Sequence, residues 1–165
     1  MSENYIVING KKIELTEEQL KQLGIETKPN PFGRTNDPCG EYFYTDAFGS
    51  VSVGSEEYSC AWKNLRNAAN YFNDKQFANQ VALHQMLYRK LLKFAYENGY
   101  EDAVEWNGTT PHWAIRYNET INKFVSFYQD TYKAQGVYFS SEEGVKRAIT
   151  EVVEPFMKEH PEFVW

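Results

Sequence analysis

The stretch Tyr71-Phe72-Asn73-Asp74-Lys75-Gln76-Phe77-Ala78 returns in outline as Tyr138-Phe139-Ser140-Ser141-Glu142-Glu143-Gly144-Val145, and these two joints decide the reading of the chain. In each, an aromatic pair leaves an extended segment. A side chain with a short oxygen acceptor follows at a helix N-cap, polar residues fill the first turn, and an apolar residue returns to the core. Glu142 and Glu143 also suit the positive end of a helix dipole.

Upstream of the first joint, Glu41 to Asp46 and Ser50 to Val53 read as strands around Ala47-Phe48-Gly49, followed by a variable stretch. Upstream of the second, Trp113 to Asn118 and Phe124 to Tyr132 read as strands around Glu119 to Lys123. Helical patterns run from about 74 to 98 and from about Ser141 onward. The order hairpin, aromatic pair, cap, helix occurs twice. Any strand-to-helix entry shares some of this chemistry, so internal duplication stays open. The expected fold is α+β, a mostly antiparallel sheet with two main helices on one face over residues 41–157, as two ββα units.

The last helix carries one apolar stripe, Val145, Ile149, Val152, Val153 and Phe156, and Pro155 predicts an end or kink near Glu154. The first long helix carries a stripe of Phe77, Val81, His84, Tyr88, Leu91, Leu92 and Ala95, which Leu83, Leu87 and Phe94 widen around the cylinder. It therefore has two faces to cover. Either it lies between the sheet and the N-terminal unit, the favoured reading, or it forms a homodimer interface through residues 74–98. The expected core includes Phe72, Phe139, Val51, Val53, Ile149 and Val152.

Residues 1–27 read as a separate unit. Tyr5 to Ile8 and Lys11 to Leu15 flank Asn9-Gly10, a type I′ hairpin turn, and Thr16 with Gln19 has capping-box spacing before a short helix ended by Gly24. Residues 28–40, dense in Pro, Gly, Asn and Asp, read as a linker, and 41–165 as the main domain.

Composition bounds the function. With 42% hydrophobic residues, 12 Tyr, 11 Phe and 4 Trp in 165 residues, the chain is long and apolar enough for one folded domain. No apolar run is long enough for a membrane span, and the N-terminus lacks a secretory layout, so a cytoplasmic protein without membrane contact is expected. Cys39 and Cys60 stand alone and read as free thiols, with a bridge left open. A net charge of −6 opposes direct binding of nucleic acid.

Chemistry-bearing patterns are few. His84, His112 and His160 share no metal-ligand spacing with one another or with a cysteine, and His84 reads as a core histidine. No nucleophile elbow or phosphate-cradling glycine loop occurs. The carboxylate pairs Glu17-Glu18, Glu56-Glu57, Glu101-Asp102 and Glu142-Glu143 sit at caps or loops, where solvation or a helix dipole explains them. No cofactor, metal or catalytic residue is therefore expected. The aromatic content favours contact surfaces, and the candidate binding residues are Tyr44, Trp62, Arg66, Arg116 and Tyr128. Alternation places Trp113, Ile115 and Tyr117 on one face of their strand, the core face, and Arg116 on the other.

Glu41-Tyr42-Phe43-Tyr44 with Gly49, Asn70-Tyr71-Phe72-Asn73, Trp113-Ala114-Ile115-Arg116-Tyr117 and Tyr138 to Glu143 together resemble a group of small accessory proteins of phages, prophages and mobile elements of Gram-positive bacteria. Their pattern runs GNxF, a TxEEA-type helix start, a YxIxY-like hairpin and YFSSEE. The resemblance spans roughly residues 41–157 and concerns structural joints. The chain departs from it with Ala69 in place of the glycine before Asn70, and with Gly144-Val145 in place of the closing helix's alanine. The resemblance implies an accessory protein of a class that includes inhibitors of bacterial immunity, anti-CRISPR proteins among them. The expectation is a non-enzymatic inhibitor acting on a host protein. The alternative is a small-ligand binder, such as a sponge for a signalling nucleotide, with Arg66, Arg89, Arg116 or Arg147 holding phosphate.

Overall fold

A computed structural model describes residues 5–24, 30–35, 39–57 and 60–165. It is an α+β chain of three hairpins and two main helices. The strands β1 (Tyr5–Ile8) and β2 (Lys11–Glu14) turn at Asn9-Gly10, both with positive φ. Helix α1 (Glu17–Gln22) follows, and its capping box is closed: the Thr16 amide donates to Gln19 Oε1 at 2.9 Å, and the Gln19 amide donates to Thr16 Oγ1 at 3.3 Å. Every residue of the β1–β2 hairpin is exposed, Ile6, Ile8 and Ile13 included.

Strands β3 (Glu41–Thr45) and β4 (Val51–Ser55) pair antiparallel, as do β5 (His112–Asn118) and β6 (Lys123–Gln129). Among the described residues the strands form three separate two-stranded sheets, where one larger sheet was expected. The joints extend two of them by one residue each. Phe43 and Phe72 exchange main-chain bonds at 2.8 Å in both directions. Trp113 and Phe139 do the same, at 3.1 Å from the Trp113 amide and 2.7 Å from the Phe139 amide. A single bridging residue then hands the chain to a helix, so the pairing stops before a third strand can form.

The caps follow the sequence reading. Asp74 accepts from the Phe77 amide ahead of α3 (Lys75–Glu97), and Ser141 accepts from the Gly144 amide ahead of α4 (Glu142–Ala148). Phe72 and Phe139 are wholly buried. A short helix absent from the sequence reading, α2 (Ala61–Asn67), precedes the first joint. After it Ala69 takes φ 52°, the left-handed region where the resembled pattern has glycine. Ala69→Gly is expected to raise stability by about 1 kcal/mol, because Cβ strain is relieved. Thermal melting checks this, and a lowered melting temperature would show that the alanine methyl has a packing role.

Of the end or kink expected near Glu154, the helix shows no end: its regular winding is interrupted just before that residue and then resumes. A π-helical turn (Ile149–Val153) joins α4 to α5 (Glu154–Glu159), and the wider turn accommodates Pro155, whose ring would strain a regular α-helix. Val145, Ile149, Val153 and Phe156 are buried, and Val152 is half-buried. Gly144, the departure from the resembled alanine, lies under the Tyr100 ring, where a Cβ would come within 2.7 Å of Cγ.

Three core expectations are corrected. Val53 is exposed and Val51 only half-buried, because the face of the β3–β4 hairpin that goes inside carries Tyr42. Tyr42 lies opposite Gly54, where a Cβ would stand 2.4 Å from Tyr42 Cζ, and it stacks on Tyr71 at 4.8 Å. In α3 the buried stripe is Ala78, Ala82, Leu83, Leu87, Leu91, Phe94 and Ala95, while His84, Tyr88 and Leu92 are exposed. Its covers are the β3–β4 hairpin on one side and α4 with its π turn on the other. The second cover is therefore the last helix, in the place assigned to the N-terminal unit.

Residues 30–35 of the expected linker lie against the first unit. Phe32 packs on Phe72 and Phe77, each at 5.3 Å, and Pro31 O accepts from the Asn73 amide at 2.9 Å. Cys39 and Cys60 are exposed and are not bridged to each other. No helix among the described residues is long and apolar enough to cross a membrane.

Candidate functional site: an aromatic groove beside Arg116

The five candidate binding residues fall into two places. Around the β3–β4 hairpin, Tyr44 lies 6.0 Å from Tyr42, Arg66 lies over the Tyr71 ring at 5.7 Å, and Trp62 lies under the Arg34 guanidinium at 5.5 Å. These rings border a satisfied web. Arg34 Nε donates to Glu56 Oε2 at 2.8 Å, the Tyr71 hydroxyl donates to Glu56 Oε1 at 2.7 Å, and the Thr35 amide donates to that hydroxyl at 3.0 Å. The Arg34 hydrogen bond, reinforced by that of Tyr71, holds the Glu56 carboxyl below the ordinary glutamate range against the opposing effect of burial. Burial and then Glu56 push the Tyr71 hydroxyl up. Such mutual satisfaction ties loops together.

Arg116 and Tyr128 belong to the β5–β6 hairpin, on opposite faces. Trp113, Ile115 and Phe124 pack against the core, as alternation predicts, and Tyr128 sits opposite Trp113 at their edge, 55% exposed. Arg116 points from the other face and is exposed, its guanidinium 3.8 Å from the centre of the Phe127 ring. Among the described residues no carboxylate lies within ion-pairing distance of it. Arg147, by contrast, is held by Glu151, Asn98 and Tyr100.

Arg116 and Phe127 border an open groove of about 620 Å³. One wall is α3, through His84, Leu87 and Tyr88; the other is the segment 134–138 and β5. Phe163 and Trp165 close one end: Phe163 lies 4.6 Å from the His84 ring, and Trp165 rests on Phe124 at 4.7 Å. His84 is thus a groove residue, not the core histidine expected. A cavity of this size with aromatic walls and a few polar groups has the form of a ligand or peptide site.

A second cluster went unforeseen. His112 is wholly buried, its Nδ1 lies 2.7 Å from Asp102 Oδ2, and Trp106 stacks flat on its ring at 3.8 Å. His112 Nε2, Asp102 Oδ1 and Glu101 Oε2 are buried without a hydrogen-bond partner among the described residues. The expectation that solvation accounts for Glu101 and Asp102 is therefore corrected: the loop folds back under Trp106, and the Glu101–Phe139 bridge fixes it there. Asp102 and His112 are ten positions apart, too far for a local motif. Among the described residues no three His, Cys, Asp or Glu side chains could hold a metal ion.

Comparison of the chain with protein-family models, with curated proteins and with solved structures finds no match.

Proposed function

We propose that this chain is a non-enzymatic binding protein whose contact surface is the groove beside Arg116. Its partner in this reading is a protein of a bacterial host cytoplasm, such as an immune effector blocked by a phage accessory protein. The observation that carries the reading is an exposed arginine on an aromatic ring, without a carboxylate partner among the described residues, at the border of an aromatic-walled groove. Such a cation favours a complementary group on a second molecule. The class of partner rests on the resemblance at the two joints alone. A second reading, binding of a small anionic ligand, draws on the groove's volume and its stacking surfaces.

Charge reversal tests the site. Arg116→Glu is expected to weaken partner capture on the order of tenfold or more while leaving the melting temperature within about 2 °C of the parent. The measurement is a pull-down from host lysate with mass spectrometry of protein and small-molecule fractions, which separates the two readings. Unfolding of the variant would make Arg116 structural, and unchanged capture would move the site elsewhere.

A further inference from the structure

We propose that the groove takes an extended peptide segment as an added strand on β5, with a carboxylate of that segment held by Arg116. This rests on the reading of the groove as a site for a protein partner.

The argument starts from strand geometry. In an antiparallel pair, residues alternate between exchanging both main-chain groups with the neighbouring strand and turning both away from it. Trp113, paired with Tyr128, turns its groups away from β6 and exchanges them with Phe139. The β5–β6 register runs without a bulge from His112–Gln129 to Asn118–Lys123. Ile115 and Tyr117, two and four residues further on, therefore present their N–H and C=O groups on the same outer side as Trp113. Among the described residues nothing hydrogen-bonds to them there.

The lane they face belongs by continuity to residues 134–138, which would extend the Phe139 pairing along β5. That segment instead turns back on itself, the Ala134 amide donating to the Tyr138 hydroxyl at 2.9 Å, and both it and β5 line the groove. An unpaired edge of this kind is a template for another strand. It is also sheltered, since α3 walls it through Leu87 and Tyr88.

Charge narrows the occupant. Arg116 lies between the two open residues of β5, so a side chain of the added strand opposite it comes within cross-strand contact of the guanidinium. Glu119 also lines the groove, but among the described residues no carboxylate comes within ion-pairing distance of Arg116. A net charge of −6 opposes a long acidic run, which selects an apolar, β-branched segment carrying a single Asp or Glu.

The test uses the whole chain and a library of displayed random heptapeptides as the probe. Selected binders are expected to alternate β-branched residues and to carry one acid, whose selection Arg116→Gln removes. On binding, amide exchange at Ile115 and Tyr117 should slow by about tenfold or more, while Ala114 and Arg116, already bonded to β6, stay as they were. N-methylation of the peptide should abolish binding at every second amide only. Binders that shift Tyr88 and Phe127 resonances yet leave exchange at Ile115 and Tyr117 unchanged would overturn strand addition and keep the groove as a protein site. A library that yields no binder, with a small molecule displaced from the groove instead, would overturn both.

Discussion

Phe139→Ala is expected to cost about 3 to 5 kcal/mol of folding stability, a fall in melting temperature on the order of 10 °C. The ring is wholly buried in the cluster that joins α3 to α4 and its π turn, so its loss leaves a cavity walled by side chains from both helices. The main chain at Phe139 carries a second duty, exchanging bonds with Trp113, while the next residue, Ser140, donates to Tyr100 O at 3.0 Å. A cavity under this residue therefore loosens the attachment of β5 as well as the core. Val53→Ala is the matched control: at 55% exposure it should change stability by less than about 0.5 kcal/mol. Equal melting temperatures for the two variants would show that the second joint is not the center of the core.

His112→Ala is expected to be of similar size, about 3 to 5 kcal/mol, by a different mechanism. Removing the ring takes away the partner of Asp102, whose side chain is only 8% exposed and already has one oxygen unpartnered. It also takes away the surface on which Trp106 stacks. The informative measurement is the double variant His112→Ala with Asp102→Ala: once the stranded carboxylate is removed, the combined loss should fall short of the sum of the single losses by at least about 1 kcal/mol. Strict additivity would mean that the two side chains do not act as a pair, and that stacking on Trp106 accounts for the whole effect of His112→Ala.

The joints were legible because their chemistry is local. An acceptor at the cap, polar residues after it and an aromatic pair before it are all within eight positions, and Asp74 and Ser141 cap as read. The faces of the β3–β4 hairpin and of α3 were not legible, because burial there is settled by distant partners. Tyr42 goes inside because Gly54 across the ladder leaves room for its ring, and no periodicity in β4 announces that. In α3 the apolar residues cover too much of the cylinder for periodicity to select a stripe, and small Ala78, Ala82 and Ala95 take the closest packing while larger Tyr88 and Leu92 stay outside.

The site was legible in part. Arg116 was singled out by strand alternation, which also placed Trp113 and Ile115 correctly inward. Tyr128 fell on the opposite face from it, and Tyr44, Trp62 and Arg66 around another hairpin, since aromatic content alone says nothing of who meets whom. The groove itself depends on residues 134–138 turning away from β5 and on Phe163 and Trp165 arriving from the far end of the chain. Neither event has a sequence pattern.

The π turn sets a helical phase. Val145, Ile149 and Val153 recur every fourth residue, a spacing that drifts around a regular α-helix and stays in line when one turn is widened. Between Val145 and Phe156 the chain thus holds a surplus residue, and everything beyond it is rotated and advanced accordingly. Phe163, against His84, and Trp165, on Phe124, follow that offset in the chain. The end wall of the groove is in this sense an index of helical winding: the pitch of one turn, about ten residues upstream, determines how far the groove is closed.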